Sequence, residues 1–206
     1  MAPAPAAAQP GAFGPRWFTP SSGTAAQQLI QLLATSQADG INPRRYNVRG
    51  LTRAVQDART GNPAAIQRAE GMLNSALVAY ARDLRHDPNV GVIYVDPELR
   101  PSAMSERDLF AQAAAAPSLA DYVTKIGWMN PIYGQLRQAI AAHIYRSEAQ
   151  RRLLTINLER ARALPAGTGR YVVVNPPAAR LYMYENGQVV DSMRVVAGRP
   201  DAIAQT

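Results

Sequence analysis

The residues of this chain with the types and spacing for chemistry are few, and the sharpest fact about them is an absence. Among 206 residues there is no cysteine. A thiolate nucleophile, a disulfide, a thiolate zinc site and a cysteine-held iron–sulfur cluster are therefore all excluded from this stretch. The two histidines, His86 and His143, are too few for a three-histidine metal centre, and any Ser-His-Asp site would have to use one of them. His143 follows Ile140 and Leu136 at the edge of an apolar face and reads as a hydrogen-bonded core or boundary histidine. His86, between Arg85 and Asp87, reads as a charge that complements the carbonyl end of a helix. Ser21, Ser22 and Ser147 sit in neither a G-x-S-x-G elbow nor an S-x-x-K motif. Gly167-Thr168-Gly169 lacks the following helix and the lysine of a phosphate loop. Asp96, Glu98, Glu106 and Asp108 show no spacing that suggests a glycosidase pair, and Asp108 is read as a helix-start acid. The residue pattern points to no catalytic residue, metal ligand or cofactor and marks no substrate-binding residue.

Charge narrows the partners only a little. The net charge is +7, and Lys125 is the only lysine, so the basic residues are almost all arginine. Such a balance suits an anionic partner, but the basic residues are spread along the chain. The densest group, Arg151, Arg152, Arg160 and Arg162, falls on one late helix with no recognisable nucleic-acid module beside it, so it reads as a solvated face. No specific nucleic acid is expected as partner. No apolar run reaches the roughly eighteen residues that a membrane span needs. The Ala- and Pro-rich start has no basic n-region, and it is compatible with the mature end of an exported protein.

The elements that must position these groups are mainly helical. Residues 1–23 read as a disordered, extended lead with Trp17 and Phe18 as its anchor. Thr24-Ala-Ala-Gln27 has the pattern of a capping box, followed by Leu29, Ile30, Leu32 and Leu33 on a helix ending near Asp39-Gly40. A short helix is predicted over 52–59, and Pro63 opens a longer one. Its Ile66, Ala69, Leu73, Leu77, Tyr80 and Leu84 form one apolar stripe, and Asp87-Pro88 terminates it. A short β-like piece, Val92–Val95, follows. Ser105 and Ser118 begin two short helices, and Pro131 a third with Ile132, Leu136, Ile140 and Ile144 as its buried face. A last helix spans about 151–164.

After Pro165 the pattern changes to strands. Tyr171–Val174, Arg180–Glu185 and Gln188–Ala197 are β-rich, and Asn186-Gly187 is a type I′ hairpin turn that would set Tyr184 opposite Val189 and Met183 opposite Val190. Leu181 and Met183 fall on one face, Tyr182 and Tyr184 on the other. A sheet apolar on both faces calls for cover on both, so the expectation is that further parts of a β domain are missing.

Taken together, Ile156-Asn-Leu-Glu-Arg160, Arg170-Tyr-Val-Val-Val-Asn-Pro-Pro177, Arg180-Leu-Tyr-Met-Tyr-Glu-Asn-Gly187 and Met193-Arg-Val-Val-Ala-Gly-Arg-Pro200 resemble the opening of a YkuD-type L,D-transpeptidase domain. Leu77-x-x-Tyr80-Ala-Arg-Asp-Leu-Arg-His86 resembles the helical scaffold that precedes it in the Gram-negative branch. The resemblance implies a mainly α fold: a helical scaffold domain over 24–165, then an incomplete all-β, YkuD-like unit over 170–206. It implies periplasmic or cell-envelope peptidoglycan chemistry, in which a cysteine thioester carries a stem peptide to an acceptor amine and makes a 3–3 cross-link. The Ser-His-Gly-Cys-type motif of that family has no counterpart in this sequence, so no catalytic residue is carried over. The expectation is an N-terminal part of such an enzyme, inactive by itself, with peptidoglycan stem peptides as partners through the missing catalytic part. The second reading is a non-catalytic envelope module that binds peptidoglycan or a partner protein.

Overall fold

A computed structural model describes residues 14–86, 104–166 and 169–196. The chain forms two compact units: the first takes residues 1–86 and 102–127, the second 87–101 and 128–206. The predicted Asp87-Pro88 stop and the Val92–Val95 piece lie outside the described residues. By compactness the chain divides between Gly127 and Trp128, and the last two helices group with the strands.

The first unit is helical: α1 (Ala25–Ala34), α2 (Val48–Ala58), α3 (Pro63–Arg85), α4 (Glu106–Ala115) and α5 (Leu119–Thr124). The long α3 starts where Asn62 accepts from the backbone N–H groups of Ala64 (2.9 Å) and Ala65 (3.2 Å), with Pro63 in the first turn where its missing N–H costs nothing. Ala69, Leu73, Leu77, Tyr80 and Leu84 of the predicted stripe are buried. They face Leu29, Leu32 and Leu33 of α1 and Leu51, Ala54 and Val55 of α2, which are buried with them. Ala54, Ala58 and Ala69 pack together, their small side chains allowing α2 and α3 to approach closely, with Phe18, Ile66 and Met72 half-buried around them.

A polar network ties the short turns to α3. The Tyr80 hydroxyl donates to the buried Asp39 carboxylate (2.7 Å), and the Tyr46 hydroxyl donates to Asp83 (2.7 Å), which also meets Arg45 at 2.9 Å. The two rings meet edge to face, their centroids 5.5 Å apart. Burial, and then the bond to the Asp83 carboxylate, push the Tyr46 hydroxyl far above the ordinary phenol range, so it stays a donor.

Several predicted caps form and one does not. Ser105 accepts from the Asp108 N–H (3.1 Å) and Ser118 from that of Asp121 (3.0 Å). Thr24 makes no side-chain cap. Its backbone (φ −97°, ψ 13°) is outside the extended region an N-cap hydroxyl needs to reach back over the first turn. Gln27, the other half of the expected box, instead bonds the Thr24 carbonyl and the Arg59 guanidinium. The lead is also corrected in part. Residues 1–13 lie outside the described ones, but residues 14–22 are placed, and Trp17 is buried in the first unit, with Pro20–Ser22 forming a 3₁₀ turn.

α5 ends in a Schellman turn: the Gly127 N–H reaches the Tyr122 carbonyl (2.8 Å) and the Ile126 N–H that of Val123 (3.1 Å). The left-handed position there is Ile126 (φ 52°), a β-branched residue held by burial. Gly127 beside it has no room for a Cβ, which would run into the Tyr122 ring.

The second unit contains α6 (Pro131–Ala141), α7 (Glu148–Ala161) and an antiparallel sheet in the order β1 (Arg170–Asn175), β2 (Arg180–Glu185), β3 (Gln188–Arg194). The fold is thus mainly α with a partial β unit. The predicted buried face of α6 is shifted. Ile132, Leu136 and Ile140 are half-buried, Ile144 is 69% exposed, and the buried positions are Tyr133 and Arg137. The helix stops at Ala141, so Ile144 leaves the stripe, and the deepest line along α6 falls one residue round from the apolar one.

Asn186 (φ 50°) and Gly187 (φ 78°) form the predicted turn. Tyr184 pairs with Val189 as expected, but Met183 pairs with Asp191, not Val190. Val190 is the extra residue of a bulge, which shifts the rest of β3 by one.

Candidate functional site

Asn130 positions the second unit's strands. It is buried, and all three polar elements around it meet its amide: Oδ1 accepts from the Ile132 N–H (3.0 Å), while Nδ2 donates to the Pro165 carbonyl (2.8 Å) and the Tyr171 hydroxyl (2.8 Å). One side chain therefore caps α6, holds the segment after α7, and fixes the first residues of β1. Tyr171 in turn stacks on its cross-strand neighbour Tyr184, with centroids 4.8 Å apart and rings 5° from parallel. Burial, then the neighbouring Tyr171, raise the Tyr184 hydroxyl above the ordinary phenol value.

The sheet these contacts hold is open. Val172 lies opposite Met183, Val174 opposite Leu181, and Leu181 opposite Met193, so these five share one face. Tyr171, Tyr182 and Tyr184 occupy the other. No strand residue is fully buried; Val172, Val174, Val189, Val190 and Met193 are between 44% and 58% exposed. Every large hydrophobic residue that is strongly exposed among the described residues, from Ile144 to Val196, belongs to this unit. β1 and β3 each have one edge unpaired among the described residues. Such a surface suits association with protein, by strand pairing and apolar packing.

The residues weighed for chemistry occupy structural positions. His86 is the exposed C-cap of α3, beyond Arg82 and Arg85 of the last turn. His143 is not a core or boundary histidine but exposed. It holds the left-handed position (φ 54°) of a Schellman turn closing α6, its N–H bonded to the Ile140 carbonyl (3.1 Å) and that of Ile144 to Ala139 (2.9 Å). Its misplacement follows from the same early helix end that exposes Ile144. Replacing His143 by glycine is expected to raise stability by about 1 kcal/mol, because a Cβ is disfavoured in that conformation, whereas valine there should lower it. Thermal unfolding of the two variants beside the parent checks the sign.

Ser22 donates to the Arg16 carbonyl and bonds Thr19 (2.6 Å), and Ser147 caps α7 by accepting from the Gln150 N–H (3.2 Å). Asp108 accepts from the Ser105 hydroxyl (2.7 Å) in the first turn of α4. Asp96, Glu98 and Gly167-Thr168 lie outside the described residues. The arginine group on α7 is partly neutralised: Arg151 binds both oxygens of Glu148 (2.9 and 2.8 Å), and Arg162 meets Glu159 at 3.1 Å. Among the described residues no cluster of three His, Cys, Asp or Glu is placed to hold a metal, and no helix is long and apolar enough to cross a membrane.

Sequence reasoning missed Asn130 and Arg137. Asn130-Pro131 carries the readable signal of an N-cap followed by a first-turn proline, whereas nothing local marks the partners Tyr171 and Pro165 some 35 to 41 residues away. The buried arginine had no such signal.

Residues 9–140 match the model of the family described as Scaffold domain. That is well over half the chain, and the chain belongs to this Scaffold domain family. No curated protein and no solved structure matches it.

Proposed function

We propose that this chain is the scaffold-bearing N-terminal part of a YkuD-type L,D-transpeptidase of the cell envelope, and that its sheet is the start of the catalytic β domain. The observation that carries this reading is one of order and exposure. A helical Scaffold-family region is followed by a three-stranded antiparallel sheet, all of whose large apolar residues are left partly or strongly exposed. A sheet in that state is stabilised when more strands or helices cover it. In this reading the chain's own residues position: Asn130 and the Tyr171–Tyr184 stack hold the first strands against the start of α6. The thiolate that attacks the stem-peptide carbonyl, and the histidine that activates it, belong to the catalytic part.

Incubation of the purified chain with tetrapeptide-containing muropeptides is expected to give no cross-linked dimer and no covalent peptide adduct by mass spectrometry. A reading frame continuing past the codon of Thr206 into a histidine and a Ser-His-Gly-Cys-like motif is expected with it. Turnover by the chain alone, or a stop codon at that point, would overturn the proposal. The second reading, a non-catalytic envelope module, is favoured by the same exposed faces if intact peptidoglycan sacculi retain the chain in a pull-down while the frame closes there.

A further inference from the structure

Along α3 the first unit carries a trough of about 510 Å³ that none of the foregoing uses. Its floor is apolar: Tyr46, Leu51 and Ala76 are buried, and Met72 is half-buried. It runs from Gln67 to Ala79, a rise of about 18 Å along the helix. The wall is open at Gly71, where an added Cβ would meet nothing within 4 Å. Arg68 and Arg82 lie on the same exposed line of α3 as Gly71 and Ser75, and so bracket the trough about 21 Å apart. Its charge is of one sign. Among the described residues Arg45 and Arg68 line it and no carboxylate does. A second hollow, which meets it at Asn47, is lined by Arg44 and Arg49, again without a carboxylate. The acids of α3 are engaged elsewhere: Glu70 accepts from the Trp17 backbone N–H, and Asp83 holds Tyr46 and Arg45. Arg44, Arg49, Arg68 and Arg82 have no ion-pair partner among the described residues.

We propose that this trough docks an acidic helix of a partner protein, about four turns long, with carboxylates at both ends of an apolar middle. Charge complementarity selects the ends: guanidinium groups without acids of their own, set about 21 Å apart, match carboxylates at the two ends of such a helix. The floor selects a helix over an extended chain. The backbone of α3 is already hydrogen-bonded within the helix, so an extended segment lying on it would leave its own N–H and C=O groups unmet, whereas a helix brings its bonds with it. The low wall at Gly71 and Ser75 lets the two axes approach to about 8 Å. Charge argues against a second copy of this chain, because antiparallel pairing of the face would set Arg68 against the second copy's Arg82. A bilayer is disfavoured because the exposed line carries no aromatic or long aliphatic side chain to insert. The proposal does not rest on the transpeptidase reading: every residue in it falls within the Scaffold match.

The test is fluorescence anisotropy of a labelled helical peptide of about sixteen residues, alanine and leucine flanked by a pair of glutamates at each end, titrated with the whole chain. It is expected to bind with Kd on the order of 100 µM, and a version with lysines in place of the glutamates should not bind. Arg68→Gln and Arg82→Gln should each weaken binding about threefold, and Gly71→Leu about tenfold by filling the trough. Gly71 is exposed and leucine is the better helix former, so folding is not at stake in that variant, and its thermal unfolding should come no earlier than the parent's. Arg107→Gln, on α4, should change nothing. Equal binding of the two peptides, parental affinity in Gly71→Leu, or no binding at about 1 mM overturns the proposal. So does a chain that ignores the peptide but binds phosphatidylglycerol vesicles, or dimerises in sedimentation, and loses that property in Gly71→Leu; a bilayer or a second copy is then the occupant.

Discussion

Asn130→Ala is expected to destabilise the second unit by about 3 kcal/mol. The alanine removes an N-cap, worth about 1 kcal/mol, and strands the Pro165 carbonyl and the Tyr171 hydroxyl without the donor they now share, at about 1 kcal/mol or more each. The three partners lie on separate elements, so the loss should also loosen β1 from the start of α6, seen as faster amide exchange in 170–175. Two companions separate the contributions. Asn130→Asp keeps the acceptor for the Ile132 N–H and can accept from the Tyr171 hydroxyl, but sets a carboxylate against the Pro165 carbonyl, so it should retain the cap and lose the hold on Pro165. Tyr171→Phe removes one partner only and should cost about 1 kcal/mol. Denaturant unfolding of the set measures these values; a cost below about 0.5 kcal/mol for Asn130→Ala would mean that the amide merely occupies its position.

Trp17→Ala is expected to cost the first unit about 3 to 5 kcal/mol. The indole is 2% exposed, its Nε1–H donates to Asn74 Oδ1 (2.7 Å), and the Trp17 backbone N–H donates to Glu70 Oε1 (3.2 Å). Gly14, with φ 135°, passes so close to Asn74 that a Cβ would meet its amide, so the segment is fitted to α3 at two points. Removing the ring leaves a cavity and takes the donor from the half-buried Asn74 amide oxygen. Trp17→Phe keeps most of the apolar contact and should cost about 1 to 2 kcal/mol, chiefly through Asn74. Limited proteolysis provides an independent readout: trypsin should cut at Arg16 in the alanine variant under conditions in which the parent resists. Equal resistance would show that the segment is held without the indole.

Much of the helical part was legible because its signals are local. Asn62-Pro63 followed by apolar residues at steps of three and four suffices for α3, since the cap, the proline and the stripe all act within one helix. The same holds for Ser105, Ser118 and the Asn186-Gly187 turn. Where the reading failed, a competing interaction decided. Thr24 and Gln27 have the letters of a capping box, yet Gln27 finds Arg59 on another helix. The α6 stripe misled because the helix stops at Ala141, and a C-terminal αL turn occupied by histidine instead of glycine carries no sequence mark. The hairpin register was right at the turn and shifted beyond it, because a bulge responds to the sheet's own twist and pairing and not to the turn residues.

By itself the sequence determined composition-level chemistry: without cysteine no thioester can form on this chain, and helix-then-strand order follows from periodicity and turn residues. The tertiary structure alone decided which residues are joined across distance. It placed Trp17 under α3, made Asn130 the link among α6, Pro165 and β1, grouped the last two helices with the sheet, and left Ile144, Leu153, Ile156 and the valines of the sheet exposed. The physical reason is range. Caps, stripes and turns are energies of residues within about one helical turn of each other. Burial and latching depend instead on which distant surfaces meet, and no local pattern of residues encodes that.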